Sequence, residues 1–196
     1  MKKNNIPSNA QGLSYKGQDF SGLSFDQYSL SHCTFENCNF TQSSFEKAYV
    51  WGCTFKNCNF SLVSLKDCQI EDVLFEESKL AGINFSQCDT SLLFSIHIKK
   101  CFVQYSNFSS LSLSGASFKE SKIHHSRFIE TKLEGAGFEN ADLLGSLFHH
   151  CNLTRANFKD AINYLINPCE NTIKNAQFSF PECIGLLKAL DITVIE

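Results

Sequence analysis

Apolar side chains recur at every fifth residue along most of this chain. Each fifth residue from Tyr15 to Phe85 is apolar or aromatic. After a shift of three residues between positions 90 and 98, the same step resumes at Ile98 and runs without exception to Phe158. A helix repeats every 3.6 residues and a strand every two, so neither element explains a period of five.

A second period of 20 residues lies on top of the first, because side chains 20 positions apart match in type. Like side chains of similar volume stack well in a close-packed interior. The pattern therefore predicts a coil of four five-residue sides, with coils stacked about 4.8 Å apart through short parallel β-bridges. The central residues predicted to form its core include Phe35, Phe40, Phe55, Phe60, Phe108, Phe128, Phe148, Leu113, Leu133 and Leu153.

Several units carry a recognisable local motif. Ala141-Asp142-Leu143, Ala156-Asn157-Phe158 and Cys58-Asn59-Phe60 resemble the repeating unit of the pentapeptide-repeat family. That resemblance implies an all-β fold, a right-handed quadrilateral parallel β-helix. It covers residues 15–163, with the frame slip at 90–98, and leaves a polar tail at 1–14 and a C-terminal segment at 164–196.

The ten cysteines raise the question of a metal site or a disulfide framework. Eight of them occupy the small inward position two residues before a central residue, where other units carry Ala, Ser or Thr. Free cysteine packs as a small buried hydrophobe, and stacked side chains that point the same way have poor disulfide geometry. We therefore expect packing, with no metal and no cofactor. Many free thiols without a secretory signal suit a reducing cytoplasm.

Composition and charge exclude several function classes. A net charge of −3 does not fit a basic nucleic-acid binder, and no apolar run reaches the roughly 18 residues of a membrane span. We expect neither direct nucleic-acid binding nor membrane insertion. A β-helix filled with Phe and Leu leaves no interior cavity for a substrate, and no acid–base pair lies outside the repeat, so we expect no enzyme.

The C-terminal segment breaks the five-residue pattern. Ser179-Phe180-Pro181 predicts the start of a short helix, because Pro suits the first helical turn, and residues 192–196 read as a final strand. The open end of a β-helix needs a cover, so the segment is an intrachain cap, a dimer surface about a two-fold axis, or both. The candidate dimer-interface residues are Ile184, Leu186, Leu187, Leu190 and Ile192.

This C-terminal segment resembles one group within the pentapeptide-repeat family. Ile162-Asn163-Tyr164, Pro181-Glu182 and Leu190-Asp191-Ile192 are similar to the C-terminal segment of topoisomerase-protecting pentapeptide-repeat proteins, chiefly of the albicidin-resistance (AlbG) type and more distantly of the quinolone-resistance (Qnr) type. The resemblance implies a homodimer whose rod imitates DNA, binds DNA gyrase or topoisomerase IV, and confers antibiotic or toxin resistance. No insertion matches the projecting loops of the Qnr type, so quinolone protection is not predicted.

Charge is unevenly distributed along the chain. Residues 19–90 carry ten acidic side chains against four lysines, whereas residues 91–168 carry six against eight Lys and Arg. A DNA mimic needs a continuous negative surface that complements a basic saddle. The candidate partner-binding patch is Asp67, Glu71, Asp72, Glu76 and Glu77. Ordinary solvated charges on a structural or adaptor rod, such as an effector with another protein partner, are the alternative.

Overall fold

Each five-residue unit forms one side of a coil, and the coils stack into a parallel β-helix of about eight turns. The computed structural model describes residues 5–190 and Ile192. Partners in neighbouring coils lie 20 residues apart, as in the pairing of Phe35 with Phe55. This confirms the predicted all-β fold and its 20-residue repeat.

The four sides of the helix are named here by the central residues that stack on them. Side A carries Tyr15, Phe35, Phe55, Phe75, Ile98, Phe118, Phe138, Phe158 and Phe178; side B carries Phe20, Phe40, Phe60, Leu80, Val103, Ile123 and Leu143; side C carries Phe25, Phe45, Leu65, Phe85, Phe108, Phe128, Phe148 and Ile166; side D carries Ala10, Leu30, Val50, Ile70, Leu113, Leu133, Leu153 and Ile173.

The strands are two to four residues long, because each side of a coil turns a corner after five residues. In chain order they are β1 (Asn9–Gln11), β2 (Ser14–Lys16), β3 (Ser29–Ser31), β4 (Thr34–Glu36), β5 (Tyr49–Trp51), β6 (Thr54–Lys56), β7 (Gln69–Glu71), β8 (Val73–Glu76), β9 (Lys79–Ala81), β10 (Ile96–Lys99), β11 (Phe102–Gln104), β12 (Lys122–His124), β13 (Arg127–Ile129), β14 (Leu147–His149), β15 (Asn157–Phe158), β16 (Leu165–Ile166) and β17 (Gln177–Phe178). The 3-10 helices are Phe85–Gln87 and Glu182–Leu190.

Strand order in each sheet follows the stacking of the coils. β1, β3, β5 and β7 are neighbours on side D, and β2, β4, β6, β8 and β10 are neighbours on side A. β9, β11 and β12 pair on side B, while β13, β14 and β16 pair on side C. β15 and β17 extend side A towards the C-terminus.

Aromatic stacking fills the interior. Phe128 is fully buried, and its ring lies 4.9 Å from Phe108 and 4.8 Å from Phe148, with the planes within 6° and 3° of parallel. The rings of side A meet those of side C edge-on, as Phe118 and Phe128 do at 89°. Both arrangements are favoured by the charge distribution of the aromatic ring. All ten predicted core residues are buried.

Corners require backbone in the left-handed region two residues after each central position. Asn37 and Asn57 lie there with φ values of 54° and 50°. Asn tolerates this conformation better than most residues, and Gly best of all. Gly52 also makes room for a neighbour, since a Cβ there would lie 2.5 Å from the imidazole of His32. The repeat therefore favours polar or small residues at its corners, with Leu62 and Tyr105 among the exceptions.

The predicted frame slip is an insertion of three residues on side D. Ile98 pairs with Phe75 and Val103 with Leu80, so partners across the slip lie 23 residues apart, rather than 20. Phe94 and Ile96 repack into the core there, with 6% and 1% of their surface exposed. The stack then continues in register.

The β-helix extends past both predicted boundaries. β1 lies inside the predicted tail of residues 1–14, and its Ala10 is buried beneath Leu30. β16 and β17 lie after residue 163, where β17 pairs with β15. The predicted helix after Pro181 is present as the nine-residue 3-10 helix, while the predicted strand at 192–196 lies outside the described residues except for Ile192.

Removal of one stacked ring tests the core. Phe128→Ala leaves a cavity between two Phe rings, and we expect it to lower the free energy of unfolding by about 3–5 kcal/mol. Phe102→Ala is the control, because the Phe102 ring points outward and is 36% exposed. Urea unfolding of both variants measures the difference. Equal losses would contradict the assignment of Phe128 to the stack.

Candidate protein-binding surface

The five acidic residues predicted to bind a partner form a belt around the rod. Asp67 and Asp72 lie at successive corners, Glu71 lies on β7 of side D and Glu76 on β8 of side A, and Glu77 lies at the next corner. All five belong to one coil, because 20 residues complete a turn. The structure therefore places them side by side around one coil, rather than in a row along the rod. We call these five residues the acidic belt.

Neighbouring side chains partly compensate this charge. Lys56 Nζ lies 3.0 Å from Glu76 Oε2, and this ion pair raises the pKa of Lys56. Tyr49 donates a hydrogen bond to Glu71 Oε2 at 3.3 Å. The other three belt residues, Asp67, Asp72 and Glu77, are exposed corner residues. They form the part of the belt most open to a partner.

Lysine and glutamate share one column along side A and alternate along it, except where Lys99 and Lys119 are neighbours. The residue after each central position forms a column in which Lys16 pairs with Glu36 at 3.0 Å and Lys119 pairs with Glu139 at 2.8 Å. Stacked coils bring such side chains within reach of each other as cross-strand neighbours. Side A therefore presents no continuous acidic column, since its five lysines outnumber its three glutamates. The column comprises Lys16, Glu36, Lys56, Glu76, Lys99, Lys119, Glu139 and Lys159.

The five candidate dimer residues separate into two groups. Ile184 and Leu186 are half-buried, and Leu186 packs against the core of its own chain. Leu187, Leu190 and Ile192 are 36%, 46% and 53% exposed. The helix thus covers the end of the stack with one group and leaves the other on the surface. The dimer through this segment stays a prediction.

Sequence reasoning missed apolar residues that continue this surface onto the coils. Leu144, Leu147 and Leu165 are 47%, 47% and 68% exposed, and Leu147 stacks beside Leu165 on side C. Leu144 and Leu165 line a shallow groove beside the terminal helix, together with Ile184 and Gly185. Leucine at an outward position of the five-residue frame was the signal that could have found them.

The comparisons with known proteins agree with this architecture. A family model described as a pentapeptide repeat region matches residues 11–85 and 28–108, and one described as pentapeptide repeats (8 copies) matches residues 131–162. This chain is a pentapeptide-repeat protein. A search of the curated proteins finds no match to it.

Solved structures show the same fold at low sequence identity. Trypsin-treated QnrB1, described as a plasmid-mediated fluoroquinolone resistance protein, is 16% identical and aligns over 96% of this chain and 100% of its own with a TM-score of 0.69. Full-length QnrB1 is 17% identical, with 91% and 100% covered and a TM-score of 0.58. HetL, involved in heterocyst differentiation regulation in the cyanobacterium Nostoc sp. strain PCC 7120, is 18% identical, with 90% and 87% covered and a TM-score of 0.46. The resemblance to the albicidin-resistance type stays a prediction.

The interior of this pentapeptide-repeat protein is packed. A void among Phe45, Phe55 and Phe75 measures about 10 Å³, which is at most the space of one water molecule. Within residues 5–190, no group of three or more His, Cys, Asp and Glu side chains is placed to hold a metal ion. The helices of the described chain are too short or too polar to cross a membrane.

The cysteines of the described chain are free, and most of them are inaccessible to solvent. The eight at the inward position are buried, Cys169 is exposed and Cys183 is half-buried. Burial raises the pKa of Cys68 to about 12 and, as the main cause, that of Cys101 to about 12. A thiol with such a pKa is almost entirely protonated at neutral pH and reacts slowly.

Thiol titration tests this packing. We expect a disulfide-exchange reagent at pH 8 to modify Cys169 rapidly and Cys183 more slowly, while the eight buried thiols react only after unfolding. After denaturant is added without reductant, all ten thiols should react with the reagent. A smaller total would reveal disulfides. Fast reaction of more than two thiols in the native protein would show that the inward positions are open.

Proposed function

We propose that this chain is a non-enzymatic protein that binds DNA gyrase or a related type II topoisomerase such as topoisomerase IV, and thereby confers resistance to an antibiotic or toxin. The observation that carries the proposal is the structural likeness to QnrB1 over nearly the whole chain. The C-terminal motifs that resemble topoisomerase-protecting proteins support it independently. We propose a cytoplasmic location, which the proposed partner and the free thiols support.

The packed interior supports the non-enzymatic part of the proposal. Catalytic sites are concave pockets with a few convergent polar groups. Here the inward positions hold apolar or small side chains, and the depressions on the outside are shallow. Only the outer surface is therefore accessible to other molecules, and a protein that acts by binding a partner needs no more than such a surface.

The acidic belt supports competition at a DNA-binding surface. A gyrase saddle that binds DNA is basic, so acidic side chains attract it and displace DNA from the same place. Because the belt occupies one coil, we infer a local contact of high charge, not a match along the whole rod.

A supercoiling assay tests the function. Purified protein is added to gyrase and relaxed plasmid, with and without albicidin or a quinolone. We expect inhibition at micromolar protein or rescue from one of the drugs. No effect in any combination would refute topoisomerase binding and leave a β-helix with another partner.

Charge reversal tests the belt. Glu71→Lys, Asp72→Lys, Glu76→Lys and Glu77→Lys in one chain should weaken gyrase binding at least about tenfold, because four attractive charges become repulsive. The matched control reverses the same number of acidic residues elsewhere, at Glu120, Glu134, Asp160 and Glu170. Surface plasmon resonance at two salt concentrations measures both variants. Equal losses would show that only net charge matters, and no loss would remove the belt from the contact.

We also propose that the C-terminal segment forms a homodimer. The exposed Leu187, Leu190 and Ile192 supply its apolar surface, continued by Leu165 on the coils. In a dimer about a two-fold axis, both subunits use the same surface. Each substitution in that surface therefore changes the interface twice.

A single substitution tests this dimer. Leu187→Asp places two carboxylates in the contact, and we expect the mass in solution to fall from two chains to one. Leu62→Asp is the control, since Leu62 is 59% exposed and lies far from the helix in the chain. Light scattering after gel filtration gives the mass. A Leu187→Asp protein that remains a dimer would place the interface elsewhere.

One observation favours the alternative of a structural or adaptor rod with an unrelated protein partner. The column of Lys and Glu side chains on side A pairs its glutamates with lysines and leaves no continuous acidic face there. A rod selected only to imitate DNA would carry acidic residues there. The supercoiling assay separates the two functions.

A further inference from the structure

The three-residue insertion carries the most exposed pair of adjacent leucines on the coils. Leu92 and Leu93 are 64% and 66% exposed, and we call residues 90–95 the leucine bulge. In the regular frame, the two residues after a central position face outward and the next one faces inward. With Thr90 at the central position, that frame would place Leu92 outward and Leu93 inward. The insertion turns Leu93 outward as well, so that two adjacent leucines face solvent.

The base of the bulge is fixed to the coil below. Ser95 donates its N–H to Ile70 O at 3.2 Å, and its carbonyl accepts the N–H of Val73 at 3.2 Å. Ser95 Oγ accepts the N–H of Asp72 at 2.8 Å. Phe94 is buried and fills the core position of side D in this coil. The two leucines therefore project from a rigid base, and the stack is complete without them.

Acidic residues surround the bulge. Asp89 precedes it and is held by Gln69 Nε2 at 2.8 Å and by the N–H of Ser91 at 2.9 Å. Asp72 adjoins its other end through Ser95, and Glu130 lines the groove beside Leu93, together with Lys132. The part of the acidic belt that borders side D, Asp67, Glu71 and Asp72, thus forms one continuous surface with the leucine bulge.

We propose that the leucine bulge is the apolar anchor of the partner contact, inserted into an apolar cleft of a basic protein surface. The charge around the bulge selects a basic partner, while the leucines provide the desolvated centre that acidic side chains cannot supply. This inference rests on the proposed function, in which the basic surface is the DNA-contacting saddle of a type II topoisomerase.

Removal of the apolar anchor at constant charge tests the inference. Leu92→Ser/Leu93→Ser leaves every charge in place, and we expect gyrase binding to weaken at least about tenfold, with unchanged thermal unfolding. Leu62→Ser is the matched control, because Leu62 is similarly exposed but lies at a corner bordering side B. We expect it to bind as the natural protein does.

The outcomes separate the two proposals. If the unchanged protein does not bind gyrase, the proposed function and this inference both fail. If it binds and the double variant binds equally well, only the anchor fails. Loss in the Leu62→Ser control to the same extent would show a general effect of apolar surface and would also overturn the anchor.

A direct contact measurement covers the case in which the double variant misfolds. A photoreactive phenylalanine analogue at position 92 should cross-link to a gyrase subunit, and the same analogue at position 62 should not. Cross-linking from position 62 alone would place the contact on another side of the rod and refute the proposal. Cross-linking from position 92 identifies the subunit that holds the cleft.

Discussion

Register between coils is the constraint on which the rest of this structure depends. Like side chains stack at ring distances of 4.8–4.9 Å, with planes within a few degrees of parallel on side C. Each ring thereby packs against one ring in the preceding coil and one ring in the following coil. A change at one central position disturbs two coils, so the five-residue frame persists over most of the chain. The same constraint fills the interior and leaves only outward positions free for function.

Outward positions are specified by the sequence only in part. The frame alone predicts that Asp67, Asp72 and Glu77 are corner residues, since they lie five apart. It does not predict that Glu76 is paired with Lys56, because that contact depends on the partner 20 residues earlier. A search for opposite charges at that separation would have found the column on side A. The rule of stacking applies to surface charges as well as to core rings.

The ends and the insertion show where the frame gives too little information. Ala10 occupies a central position, but alanine is not a large apolar residue. The five-residue pattern therefore did not predict the first side of the helix. Within the terminal helix, Leu186 and Leu187 are adjacent in sequence and differ in environment, because only contact with the last coils decides which one is covered. The slip itself was predictable from the frame. The outward direction of Leu92 and Leu93 was not, since three extra residues can fold either way.

The geometry of the repeat limits how far such a rod can imitate DNA. Duplex DNA carries about one negative charge per 1.7 Å of its axis. A column of this rod offers one side chain per coil, about every 4.8 Å, and on side A this column contains both lysine and glutamate. Dense negative charge is reached only around the rod, where the acidic belt places five carboxylates in one coil. A belt is too short to hold a partner by charge alone in physiological salt, because exposed charges are screened within about 8 Å. Recognition at this place therefore needs an apolar contribution beside the charge, and the insertion on side D is where the fold provides one.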